Sequence, residues 1–284
     1  MNFAIIMMVL LPSISCTTLS PQTKTLLSHP IKPSHFLIQE LEAVPGTEGD
    51  CGPQSLTMVL KWAGQPYSLQ DTRKQTLTPK KKGSLPAHMV TASRSFGMLA
   101  IKHRTLSTII QELKTGKPII ALLNLGLPIL PVWHYVVIAG YDIPRQELTL
   151  FTGKSYPETM PMTYFERHWS LAHYWALQVL PPHLLSATAD EISHLRAASG
   201  IEAANQLEAA SIAYATILRK WPNSVVTHIG LGNIAYSQKR WKESASYFEQ
   251  ALMIDPQSST AKNNLAVVKE SLGPSQSQPE EGHH

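Results

Sequence analysis

The C-terminal third of the chain repeats itself with a period of 34 residues. Tyr214 and Phe248, Pro222 and Pro256, and Leu231 and Leu265 form three pairs with that spacing. A fixed period of this size marks stacked supersecondary units, each burying its apolar face only against its neighbours. Residues from about 189 to 273 are Ala-rich and carry no strand signal, so each unit reads as a pair of helices. Gly232 lets the first helix of a pair approach the second, Phe248 and Ala251 fill the seam, and Pro256 ends the second helix. One unit is nearly complete, from Val225 to about Ser258, with a degenerate half before it and another half after it. The polar stretch 274–284 reads as a disordered tail, whose His283-His284 pair is too short to argue for a metal.

Ahead of this array, Pro181-Pro182 closes a region of different character, 36–182. Helices are expected over Cys51–Ala63, Leu85–Phe96 and Leu106–Thr115, stopped by Gly64, Gly97 and Gly116. Strands are expected at Pro118–Leu123, Tyr135–Tyr141, Glu147–Phe151 and Trp175–Leu180, with Asp142–Gln146 as the turn of a hairpin. Helices first and strands afterwards mean an α+β domain. The 284 residues, with 43% apolar and 15% charged side chains, suffice for two cores and exclude a wholly disordered or collagen-like chain. The net charge of +4 comes from scattered Lys and Arg and calls for no nucleic-acid partner; Lys80-Lys81-Lys82 reads as a solvated loop.

Phe3–Leu11 is an apolar run too short to span a bilayer as a helix, which takes about 20 residues. It fits the apolar region of a secretory signal. Ser13-Ile14-Ser15-Cys16 resembles a bacterial lipobox, in which the signal, 1–16, is cut before a cysteine that is then lipidated. The Ser-, Thr- and Pro-rich residues 17–35 read as a tether. The expected location is therefore the bacterial cell envelope, membrane-anchored through Cys16 and facing the periplasm. The chain has 2 cysteines, so a lipidated Cys16 leaves Cys51 without an intramolecular partner. A lone thiol in an oxidising compartment is a liability unless it is buried or used.

Asp50-Cys51-Gly52-Pro53 opens the first helix of the α+β region, and Pro53 suits a first turn, where its missing N–H is no loss. A cysteine at a helix start lies among unpaired N–H groups at the positive end of the helix dipole, which favours thiolate and can hold an oxyanion. Such a thiol needs a base. Among the 12 histidines, His134 in Trp133-His134-Tyr135 stands at the mouth of the apolar strand Val136–Tyr141, where it is held rigidly. His103, His168 and His173 are its rivals. No histidine pair has the spacing of a zincin-type site, so neither metal nor cofactor is expected.

Asp50-Cys51-Gly52-Pro53 with Ser55–Leu60, Lys82–Leu85, Ala92–Gly97, Asn124–Leu127 and Trp133–Val137 resembles the family 39 cysteine peptidases, papain-like enzymes whose founding members remove double-glycine leader peptides. The array, through Leu231-Gly232, Phe248, Ala251 and Pro256, resembles the tetratricopeptide repeat. Together they resemble an exported subgroup carrying both. The resemblance implies an α+β papain-like cysteine peptidase domain followed by an all-α tetratricopeptide-repeat region, with Cys51 as nucleophile and His134 as general base and acid. The family also places an oxyanion-stabilising Gln shortly before the nucleophile, but Val44–Asp50 holds none and Gln39 lies too far upstream. Its third catalytic member, an Asp or Asn on the strand after the histidine's, has no counterpart in Leu148–Gly153. Asp142 is the nearest carboxylate and the candidate orienter of His134, and Asp50, Gly52 and Asn124 are candidates for oxyanion or helper roles.

Two functions fit these residues. One is a lipid-anchored thiol peptidase acting on a peptide or protein substrate. The other is a peptidase-like lipoprotein adaptor that binds peptides without cutting them and recruits a protein partner through its repeats.

Overall fold

The computed structural model describes residues 20–78 and 83–273. The lipobox with Cys16, the lysine cluster 80–82 and the tail 274–284 lie outside the described residues. Among those described, no helix is long and apolar enough to cross a membrane.

The chain opens with helix α1 (Pro21–Leu27) and strand β1 (His35–Leu37). Three helices follow: α2 (Cys51–Trp62), α3 (Leu69–Thr76) and α4 (Pro86–Ser95). Then come β2 (Leu99–His103), α5 (Leu106–Leu113), β3 (Ile119–Asn124), β4 (Trp133–Asp142), β5 (Glu147–Phe151), β6 (Glu158–Pro161), α6 (Met162–Ser170) and β7 (Ala176–Leu180). The seven strands form one antiparallel sheet in the order β2-β7-β3-β4-β5-β6, with β1 beside the far end of β4. Six residues of β3, Ile119–Asn124, are all buried, which is why their run is nearly continuous in apolar residues. Helix α2 packs against β4 and is flanked by α3 and α4, while α1, α5 and α6 form a second group against β3 and β4. The expected α+β architecture is present.

Residues 20–35 are not a tether. Helix α1 is fastened to the domain by Glu166, whose carboxylate accepts from the Gln22 N–H (2.9 Å), the Thr23 N–H (2.6 Å) and the Thr23 hydroxyl (2.7 Å). A helix of seven residues would not hold in water alone, so these tertiary bonds decide its structure.

The repeat region contains α7 (Glu191–Ala203), α8 (Leu207–Lys220), α9 (Val225–Ser237), α10 (Trp241–Ile254) and α11 (Ser259–Leu272). The pair α9–α10 is the expected unit. A Cβ on Gly232 would come within 2.5 Å of the Phe248 ring, so glycine is what lets α9 meet α10. The element before it is a full helix pair, α7–α8, rather than a half. It is fused to the sheet: Leu99, Ile101 and Leu180 share a core with Ala197, Ala198, Ile201, Ala213, Tyr214 and Ile217.

Glu112 locks this junction. Its fully buried carboxylate accepts from Gln178 Nε2 (2.7 Å), Ser186 Oγ (2.6 Å), the N–H of Ala187 (3.1 Å), and the N–H and hydroxyl of Thr188 (2.8 and 2.7 Å). Burial alone would raise its pKa, but the donors from Ser186, Thr188, Gln178 and Ala187 prevail and hold it below 4.5. Glu112→Ala is expected to cost roughly 3–5 kcal/mol in denaturant unfolding at neutral pH, because the donors lose their acceptor while buried. A carboxylate whose folded pKa is depressed stabilises above its ordinary value. The gap between wild type and variant should therefore narrow as pH falls below 4.5.

Candidate active site

Helix α2 starts at Cys51, and the turn before it is clamped from the side. Asp50 is buried and does not cap the helix with its side chain. Its carboxylate accepts instead from the Thr47 N–H (2.7 Å), the Thr47 hydroxyl (2.8 Å) and Arg73 Nε on α3 (2.9 Å), with a second contact to Arg73 Nη2. Arg73 draws its pKa down to about 2 against the opposing effect of burial. Asp50 thus sets the position of Cys51 and is occupied as a structural acceptor, so it is not an oxyanion donor. Gly52 is buried under Ser84, and a Cβ there would lie 2.6 Å from Ser84 Oγ. Pro53 brings no N–H, and the Gln54 N–H closes on the Asp50 carbonyl at 2.7 Å. The N–H groups of Cys51 and Gly52 are left at the helix start without a protein partner among the described residues.

Cys51 is half-buried and lines a cleft of about 1170 Å³. His134, near the start of β4, lines the same cleft, as do Gln54, Ser84, Trp133, Tyr135, Thr152 and Gly153. The sheet brings them together: β4 runs behind α2, and β5 pairs with β4 so that Thr152, one residue past β5, reaches the imidazole. His134 Nε2 lies 3.0 Å from the Thr152 carbonyl oxygen. A carbonyl only accepts, so Nε2 carries the proton and Nδ1 of the neutral ring holds the lone pair. Burial pushes the His134 pKa below 6.5, partly offset by the Thr152 carbonyl. The Tyr135 hydroxyl donates to the Ser84 carbonyl (3.2 Å), and burial together with the Cys51 charge raises its pKa.

Asp142 does not orient His134. It sits at the other end of β4, eight residues away and hence about 26 Å along the strand. There it closes the hairpin turn, accepting from the Arg145 N–H at 3.0 Å. Asn124 is not in the cleft wall either. Its Oδ1 accepts from the N–H groups of Gly126 (3.0 Å) and Val132 (2.9 Å), so it fastens the base of loop 125–132. Of the rival histidines, His103 is buried against Gln178, and His168 bonds the Asn124 carbonyl. His173 lines the cleft with Cys51.

Residues 36–176 match a family model described as the peptidase C39 like family, and residues 225–258 match the tetratricopeptide repeat. The chain carries a peptidase C39-like domain and a tetratricopeptide repeat. Solved structures similar to the C39-like domain include the peptidase domain of Streptococcus ComA, a bi-functional ABC transporter involved in quorum sensing. That match has 24% identity, covers 50% of this chain and 98% of that one, and has a TM-score of 0.40. A C39-like peptidase from Bacillus anthracis matches at 14% identity, over 51% of this chain and 97% of that one, with a TM-score of 0.43. A double glycine motif protease from an AMS/PCAT transporter, solved with its leader peptide, matches at 19% identity, over 51% and 96%, with a TM-score of 0.36. No curated protein matches the chain.

Two features of the C39-like site escaped the sequence reading. The group on the imidazole is a backbone carbonyl, for which no residue type is a signal. Gln54 carried one: it lies three residues after Cys51, on the same helix face.

Asp50→Asn should weaken the clamp before α2, at a cost of about 2 kcal/mol in denaturant unfolding at pH 7. The Asp50 contribution is present above its ordinary value of 3.8 and is lost as pH falls toward 2, so wild type and variant should converge there. Asp142→Ala should leave the rate at which iodoacetamide alkylates Cys51 within about twofold of wild type, given that exposed substitutions far from a site act weakly.

Proposed function

We propose that the chain is a thiol peptidase that hydrolyses peptide bonds with Cys51 as nucleophile and His134 as general base and acid. The observation that carries this reading is the shared cleft, in which the thiol stands at a helix start and the imidazole has its Nε2 proton committed to Thr152. Nδ1 is then the free basic atom. Cys51 Sγ attacks the substrate carbonyl carbon, and its proton passes to Nδ1. The N–H groups at the start of α2 stabilise the charge that develops on the carbonyl oxygen. The C–N bond breaks as Nδ1 returns the proton to the leaving amine, leaving a thioester. Water, deprotonated by the same nitrogen, then releases the acid and the free thiol.

Loop 125–132 supports a peptide substrate. Leu127, Ile129, Leu130 and Val132 are exposed, and the apolar run continues through Val132 and Trp133 into the cleft wall. The tetratricopeptide repeat suits docking of a protein partner. We place the protein in the bacterial cell envelope, exported, lipid-anchored through Cys16 and facing the periplasm. The supports are the apolar run Phe3–Leu11, the Ser13-Ile14-Ser15-Cys16 motif and the solitary thiol of the C39-like domain.

Cys51→Ala should abolish hydrolysis, and His134→Ala should lower kcat/KM by roughly 10²–10⁴, measured on peptide mixtures by mass spectrometry. The base form of His134 is the active one and its pKa lies below 6.5, so the rate should fall on the acid side only below that value. A phenotype in cells that survives Cys51→Ala would instead favour the adaptor.

A further inference from the structure

A tetrahedral intermediate at Cys51 puts a full negative charge on the former carbonyl oxygen, and the backbone donors at the start of α2 are few. Pro53 contributes none, and the Gln54 N–H is spent on the Asp50 carbonyl. Besides the exposed Glu48, Trp133 and His173, the cleft wall holds two less exposed polar side chains with unused hydrogen-bonding capacity. One is Ser84, whose Oγ is buried without a partner. It is sealed against Gly52, where a Cβ would approach it to 2.6 Å, and so cannot reach a ligand.

The other is Gln54. It follows Cys51 by three residues on α2, so both side chains leave the same face of the helix. Its side chain lines the cleft with Cys51 and His134, although the residue is only 7% exposed. One Nε2 hydrogen goes to the Val44 carbonyl at 2.9 Å, which fixes the plane of the amide and identifies its nitrogen. Among the described residues, the second Nε2 hydrogen and Oε1 have no protein partner. One of the four hydrogen-bonding positions of the amide is used, and the rest are open to what enters the cleft.

Two glycines make the space. A Cβ on Gly46 would lie 2.7 Å from both Cδ and Nε2 of Gln54, so only the bare backbone admits the amide at that point. On the other side, a Cβ on Gly153 would lie 3.5 Å from Oε1, and Gly153 follows the residue whose carbonyl holds His134. The amide is therefore wedged between the segment leading into the nucleophile and the segment that orients the base. It is fixed, borders the cleft and is supplied with one free donor.

We infer that the Gln54 carboxamide is an oxyanion donor of this site, giving its second Nε2 hydrogen to the negative oxygen of the intermediate formed on Cys51. The inference rests on Cys51 being the acylated nucleophile. Gln54 touches the reacting oxygen and so acts in the chemistry, whereas Gly46 and Gly153 serve by leaving room.

The experiment compares two reactions of Cys51 in the full chain. Acylation by p-nitrophenyl acetate passes through an oxyanion and is followed by nitrophenolate release. Alkylation by iodoacetamide displaces iodide at a saturated carbon and forms no oxyanion. Gln54→Ala should slow acylation by about 10²-fold and change alkylation by less than about threefold. Gln54→Glu keeps the size of the side chain and removes the donor once ionised, so at pH 8 it should acylate at least as slowly. Equal losses in both reactions would make Gln54 a structural residue and overturn the inference. Wild-type acylation rates in either variant would also overturn it, with the peptidase reading untouched. If wild-type acylation is the same in Cys51→Ala, the peptidase reading itself fails and takes this inference with it.

Discussion

The site depends on one buried carboxylate that never meets substrate. Asp50 gathers Thr47 from its own loop and Arg73 from α3, and this closes the turn from which α2 departs. Where α2 starts decides where the thiol stands, and helical geometry then decides where Gln54 points. Helix α3 carries a capping box of its own, Ser68 with Asp71, so the arginine comes from a well-anchored element. Arg73 and the helix start thus hold their positions through Asp50.

The second half of the site comes from strand pairing. His134 pairs with Leu123 on one side, and the β4–β5 ladder brings Thr152 to it from the other. The imidazole is thus oriented by the same register that builds the core. A neutral carbonyl stabilises a positive ring less than a carboxylate does. Burial prevails over that weaker support, so the base stays uncharged to lower pH than an exposed histidine.

Much of this was legible in the sequence. Helix α2 and its start, the hairpin β4–β5 and the 34-residue period each have local signals: a proline in the first turn, alternating turn and apolar runs, and paired prolines. Helix α1 does not. Its Ser, Thr and Pro composition reads as loose chain, and tertiary contacts give it structure, those of Glu166 with Thr23 and of Gln22 with Leu106 among them. Strand β2 was hidden as well: it takes its partner from β7, some 75 residues later, and is covered by α7. Helix α3 is short and polar, with no apolar stripe to announce it, yet it carries Arg73. Asp142 is the nearest carboxylate in sequence, but a ten-residue strand puts its two ends far apart.

Thr152 lends His134 a peptide oxygen, and every amino acid has one. Genetic drift at position 152 can alter the side chain without erasing the acceptor. A scan of side-chain replacements would report on the bond from the Thr152 hydroxyl to Glu158 and miss this acceptor, although the ring leans on it. Support of that kind is inherited with the strand ladder as a whole, and losing it takes a shift of the chain's path rather than a change of letter.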